Sequence, residues 1–205
     1  MIYLDNAATT GKKPPAVLKA VQRELMYPAN PGRSAHKLSL KSMNKIYETR
    51  ELLAKLFHSE HPENFILTPN ATYALNYAIK GILKSNYSHV IITSMEHNSV
   101  IRPVNALSGV TVTTIKGDEY GFINPEDIKK EIKYNTSLIV INHSSNVNGI
   151  IQNIDAISKI AHEKKIPVLI DASQSAGIID IRSGNFDMIA LPGHKGLYGP
   201  QGTGV

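Results

Sequence analysis

The sequence predicts an α/β fold built on a mostly parallel, doubly wound sheet, and three observations carry that expectation. Short apolar runs recur from residue 65 onward, several are continuously apolar, and stretches with helical spacing lie between them. Continuously apolar runs suit strands buried on both faces of a parallel sheet. Repeated alternation of strand and helix places the helices on the two faces of that sheet.

In chain order, the turn-rich Gly11-Lys12-Lys13-Pro14-Pro15 leads into a helix carrying Val17, Leu18, Val21 and Leu25 on one face. After a loop from Tyr27 to His36, Leu38, Leu40, Met43, Ile46, Tyr47, Leu53, Leu56 and Phe57 fit a long amphipathic helix. The strand candidates are Phe65-Ile66-Leu67, Val90-Ile91-Ile92, Val110-Thr111-Val112, Leu138 to Ile141, Val168-Leu169-Ile170 and Met188 to Leu191. Helices are expected over Ala71 to Leu83, Asn124 to Lys133 and Ile154 to Lys164, with Asn124 as N-cap and Pro125 in the first turn of the second. Gly202-Thr203-Gly204-Val205 reads as the beginning of a further strand. A sheet that ended there would leave an unpaired edge, with aggregation as the expected consequence.

The 205 residues carry 22 Lys+Arg against 17 Asp+Glu, a formal charge of +5. The basic residues are scattered pairs such as Lys12-Lys13, Lys129-Lys130 and Lys164-Lys165, so they read as solvated surface and not as a nucleic-acid interface. No apolar run is long enough to span a bilayer, and the first residues lack the basic start and apolar core of a signal peptide; a soluble, cytoplasmic protein is expected. With 0 Cys there is no disulfide, no thiolate metal site and no cysteine nucleophile on this chain. The histidines at 36, 58, 61 and 143 show no ligand spacing with Asp or Glu, and no metal is expected.

Ligands of open α/β sheets sit outside the carboxyl ends of the strands, so the residues that follow each apolar run are the candidates for chemistry. They are Thr68-Pro69-Asn70-Ala71-Thr72 at a helix start suited to a phosphate, Glu96-His97-Asn98-Ser99, Asn142 and Asn146, Asp171-Ala172-Ser173-Gln174, and Gly193-His194-Lys195-Gly196. An Asp at one strand end and a Lys after the next suits a pyridoxal 5'-phosphate enzyme. The lysine forms a Schiff base with the cofactor, and the carboxylate keeps the pyridine nitrogen protonated. Each residue also has an ordinary reading: Asp171 or Thr72 as a helix cap, His97 or His194 as a hydrogen-bonded structural histidine, Asn146 as a turn residue and Lys195 as a solvated lysine.

At these residues the sequence resembles the class V aminotransferase family of pyridoxal phosphate enzymes, and within it the cysteine desulfurases. The matching segments are Tyr3 to Thr10, Asn30-Pro31-Gly32-Arg33 with His36 to Ser39, Ala71-Thr72, Glu96 to Ser99, Asn146 to Gly149, Asp171 to Gln174 and Gly193 to Pro200. The resemblance implies the large domain of a fold type I transferase. It implies Lys195 as Schiff-base and proton-moving lysine, Asp171 at the pyridine nitrogen and Gln174 at the ring hydroxyl. It further implies His97 stacked on the ring, Ala71, Thr72 and His194 at the phosphate, and Asn146 beside the ring or the substrate carboxylate. Asn6, Ala7 and His36 would line the substrate mouth.

The resemblance also implies residues 1–60 as a helical segment at that mouth and residues 61–205 as the cofactor-binding domain, with the small C-terminal domain expected to be absent. The implied reaction takes L-cysteine to L-alanine, passes sulfur to an acceptor protein and runs in a homodimer. A selenocysteine lyase, a transaminase, an epimerase or a non-catalytic cofactor-binding module remain alternatives. Three positions depart from the family pattern: Pro192 replaces a hydroxyl residue, Tyr73 an acidic one, and Asn70 a glycine whose left-handed conformation an asparagine can adopt.

Overall fold

The protein is described as a computed structural model that covers residues 2–83 and 87–205. Two helices come first, α1 (Pro15–Met26) and α2 (Lys37–Leu56), followed by α3 (Ala71–Ile82), β1 (His89–Thr93), α4 (Asn98–Asn105) and β2 (Thr111–Ile115). The remainder is α5 (Pro125–Glu131), β3 (Thr136–Asn142), α6 (Ile154–Glu163), β4 (Val168–Asp171) and β5 (Met188–Ala190). The five strands form one sheet in the order β2-β1-β3-β4-β5, and every pair is parallel. The chain leaves β1 outward for β2, then crosses back to β3 on the other side of β1. The carboxyl ends of β1 and β3 therefore flank the point where winding reverses, where such sheets open a crevice.

Alternation along the strands divides the core into two layers. Ile91, Ile139, Ile141 and Ile170 pack on one face with Phe57 of the α2 end, Ile128 of α5 and Ile157 and Ala161 of α6. Val90, Ile92, Leu138, Val140 and Leu169 pack on the other with Leu75 and Ile79 of α3 and Val100 and Val104 of α4. Leu138 to Ile141 are wholly buried, and each such side chain contributes about 1.5–3 kcal/mol relative to exposure. This is the doubly wound arrangement that the apolar runs predict. Asn124 caps α5 by accepting from the Glu126 amide at 3.1 Å. No helix among the described residues is long and apolar enough to cross a membrane.

Three local expectations are corrected. Phe65-Ile66-Leu67 is not a strand: Phe65 is buried against Phe57, ring centroids 6.1 Å apart, while Ile66 is exposed. The place beside the end of β5 is taken instead by the last residues of the sequence. Val205 and Leu191 exchange antiparallel backbone bonds of 2.9 Å, and Gly204 bridges Thr68 at 2.8 Å on its other side. Second, α4 is not among the helices that the sequence predicts; it carries Pro103 within it, and Val100 and Val104, four residues apart, anchor this short helix to the sheet. Third, Asn70 is not left-handed. It is extended at φ −173° and caps α3, accepting from the Tyr73 amide at 3.0 Å. The glycine needed nearby is Gly204, whose Cα lies so close to the Asn70 backbone that a Cβ would overlap it.

Candidate functional site

The carboxyl ends of the strands and the start of α3 surround a cavity of about 420 Å³. Its walls include Thr72 of α3, His97 after β1, Asn142 at the end of β3, Asp171 at the end of β4, and His194 and Lys195 after β5. Ala7, Ala71, Asn146 and Gln174 complete the sequence-predicted residues that reach it. Asn6 and His36 do not line it: Asn6 accepts from the Gly11 amide at 3.1 Å, and His36 caps α2 by accepting from the Ser39 amide at 3.2 Å.

Asp171 is almost fully buried, and one of its oxygens accepts from the Ser173 amide at 3.0 Å. Burial pushes the half-buried Lys195 ammonium down from its ordinary range, opposed by the charge of Asp171. A lysine so placed holds a larger neutral fraction, the form that attacks a carbonyl. His194 is pushed down by burial and then by the charges of Lys195 and Lys13. At the far wall, Nδ1 of His97 accepts from the Ser99 amide at 3.1 Å, capping α4. That bond places the proton of the neutral ring on Nε2. The Ser99 hydroxyl lies 2.8 Å from the same Nδ1 and 3.0 Å from the Thr72 hydroxyl, so the starts of α3 and α4 are joined at the cavity. First-turn N–H groups have no partner within their helix and favour an anion.

The loop that carries Lys195 is fastened by the opening residues, a role the sequence reading missed. Thr10 donates its hydroxyl to the Lys195 carbonyl at 2.6 Å and Lys13 its ammonium to the His194 carbonyl at 2.8 Å, while Gln174, in the loop after β4, donates its amide to the Ala7 carbonyl at 2.9 Å. The 185-residue separation of Thr10 and Lys195 leaves no local signal for such contacts. Gly196 is required where it lies, since a Cβ there would overlap the Ala176 carbonyl in the loop after β4. Asp5, Ala8, Asn70, Ser99, Asn142, Ser173 and Pro192 also line the cavity; all seven fall in or beside the strand-end and opening segments, but the sequence assigned none of them a specific role there.

Comparison with known proteins bears on this geometry. The chain is 35% identical over 207 residues to a probable cysteine desulfurase of Methanothermobacter thermautotrophicus, covering 99% of this chain and 52% of that protein. It is 36% identical over 214 residues to a probable cysteine desulfurase of Borreliella burgdorferi, covering 100% and 50%. Among solved structures, SspA in complex with cysteine superposes with a TM-score of 0.94 at 33% identity, covering 100% of this chain and 60% of that one. The apo cysteine desulfurase of Thermococcus onnurineus NA1 gives a TM-score of 0.89 at 31% identity, covering 99% and 52%. The chain thus spans about half the length of the curated relatives it matches. A match to the aminotransferase class-V family extends over residues 2–205, and the chain belongs to that family.

Proposed function

We propose that this chain is the cofactor-binding part of a pyridoxal 5'-phosphate enzyme that removes sulfur from L-cysteine, leaves L-alanine and hands the sulfur to an acceptor protein. One observation carries the reading: a buried carboxylate, Asp171, and a lysine held below its ordinary range, Lys195, face one cavity from adjacent strand ends. The donor set fits the cofactor, with a carboxylate for a cationic ring nitrogen, an amine for an aldehyde and a helix start for a phosphate. When bound, the cofactor supplies an electron sink for the substrate α-carbon.

In this reading Lys195 holds the cofactor and afterwards moves a proton at its Nζ. Asp171 pairs with the ring nitrogen, Gln174 donates to the ring oxygen, and His97 covers the ring face. Ala71, Thr72 and His194 hold the phosphate, while Ala7 and Asn146 lie toward the substrate. Residues 1–60 form the approach to the site and residues 61–205 the cofactor domain, and a homodimer is the working assembly. The 205 residues contain no cysteine, so a sulfur-accepting thiol comes from elsewhere. That absence favours, as a second reading, cofactor binding without turnover by this chain alone.

The test is the visible absorbance of the purified protein titrated with pyridoxal 5'-phosphate, beside Lys195→Ala. A band that the substitution removes is expected, and its absence from the parent protein would overturn the cofactor reading. Alanine release from cysteine separates the first reading from the second.

A further inference from the structure

Glu96 lies directly before His97 and is buried, yet the proposed chemistry makes no use of it. Its Oε1 accepts two hydrogen bonds, from the Thr93 hydroxyl at 2.7 Å and from the Asn142 amide at 2.8 Å. Thr93 ends β1 and Asn142 ends β3, so this single oxygen ties the two strand ends at the point where the winding of the sheet reverses. A second bond closes the tie in the other direction, with the Asn142 side-chain amide donating to the Met95 carbonyl at 2.9 Å. Oε2, in contrast, is buried without a hydrogen-bond partner.

From this geometry we propose that Glu96 is a positioning residue that works as a neutral carboxylic acid, clamping the ends of β1 and β3 so that His97 and Asn142 keep their places in the cavity wall. A carboxylate here would leave a charged oxygen buried with no donor, whereas the neutral acid still offers Oε1 to both of its partners. The charged group that faces it is Asp171, at the end of β4, whose charge opposes a second one. The Thr93 and Asn142 groups from β1 and β3 bring none. Burial, with a smaller contribution from Asp171, pushes the carboxyl up to about 8, against the hydrogen bonds from Thr93 and Asn142 that pull it down.

What Glu96 positions rests on the site reading above, but the clamp itself is tested on the ligand-free protein. In the unfolded chain this carboxyl ionises near its ordinary 4.5. The folded state therefore binds the extra proton between that value and about 8, and stability is lost as pH rises across the window. Glu96→Gln keeps the acceptor and removes the titration. The melting temperature of Glu96→Gln relative to the parent should climb by about 5 °C or more between roughly pH 6 and pH 9. Parallel profiles would overturn the neutral acid.

Glu96→Ala deletes the acceptor, and the Asn142 amide should then exchange with solvent at least about tenfold faster, while Glu96→Gln restores the parent rate. Unchanged exchange in a folded Glu96→Ala protein would overturn the clamp, and if that variant does not fold, the Gln profile still decides. With pyridoxal 5'-phosphate, Glu96→Gln should keep the parent affinity within about twofold and Glu96→Ala should weaken it about tenfold. A parent protein that binds no cofactor would sink the functional reading while leaving both ligand-free results to judge Glu96.

Discussion

The two leading helices and the sheet that follows them both carry regular apolar patterns, one-sided in the helices and continuous in the strands, and they are packed differently. α1 buries none of its residues, and Leu18 and Leu25 on its apolar face are 58% and 75% exposed. α2 buries only Ser39, Leu53 and Ala54, the last two in its final turn, and leaves Leu40, Met43 and Tyr47 in the open. β3, in contrast, is buried without interruption from Leu138 to Asn142. Hydrophobic periodicity says that a face seeks cover and is silent on what covers it. The site belongs to the well-packed region, and the leading segment reaches it chiefly through residues 5–13, which fasten the Lys195 loop.

The largest test of this contrast is a truncation at the centre of the sheet. Ile139 is wholly buried between the α5 and α6 side and its neighbours in β1 and β4. Ile139→Ala removes that packing, and urea unfolding should show a loss of about 2–5 kcal/mol. A loss under about 1 kcal/mol would mean that the sheet does not carry the stability assigned to it.

The sheet was legible in the sequence because a strand buried on both faces leaves a short, continuous apolar run, a pattern that few other local structures produce. β1, β3 and β4 lie where those runs fall, within a residue or two. Phe65 to Leu67 shows the limit of that signal, since three apolar residues are also what a loop uses to anchor one aromatic ring. The cavity was legible for a related reason: each strand end is a fixed exit, so Asp171, His97, Asn142 and Lys195 had to converge if the sheet was parallel. The clasp of Thr10 and Lys13 on the Lys195 loop, and the Glu96 tie between strands, join distant residues through polar contacts that no periodicity announces. Asn70 misled for a local reason, because its capping bond to Tyr73 requires the extended conformation and not the left-handed one.

A smaller effect within the same region comes from His143, which is buried, donates its backbone amide to the Asp171 carbonyl at 3.0 Å and has its Nδ1 2.9 Å from the Ser175 hydroxyl. Burial pushes its proton affinity below the ordinary 6.5, with Asp155 opposing. The unfolded chain therefore takes up a proton that the folded chain refuses as pH falls below about 6.5, and stability falls with it. His89 and His194 act in the same direction, each displaced downward chiefly by burial. His143→Asn should make the acid limb of the stability profile shallower without removing it. An unchanged limb would mean that His143 contributes nothing to the acid sensitivity.

The smallest expected effect lies on α1. Leu18 is already mostly in water, so Leu18→Ala gives up little burial, and alanine is at least as good a helix former as leucine. Urea unfolding should move by no more than about 0.5 kcal/mol, a small fraction of the Ile139→Ala loss, with the same slope on denaturant. A loss approaching that of Ile139→Ala would contradict the contrast itself, because an exposed side chain cannot cost so much unless something covers it in solution. Repeating both measurements over a hundredfold range of protein concentration would then identify the cover. A Leu18→Ala loss that grows with concentration belongs to contact between copies, whereas one that stays constant belongs to packing within the chain.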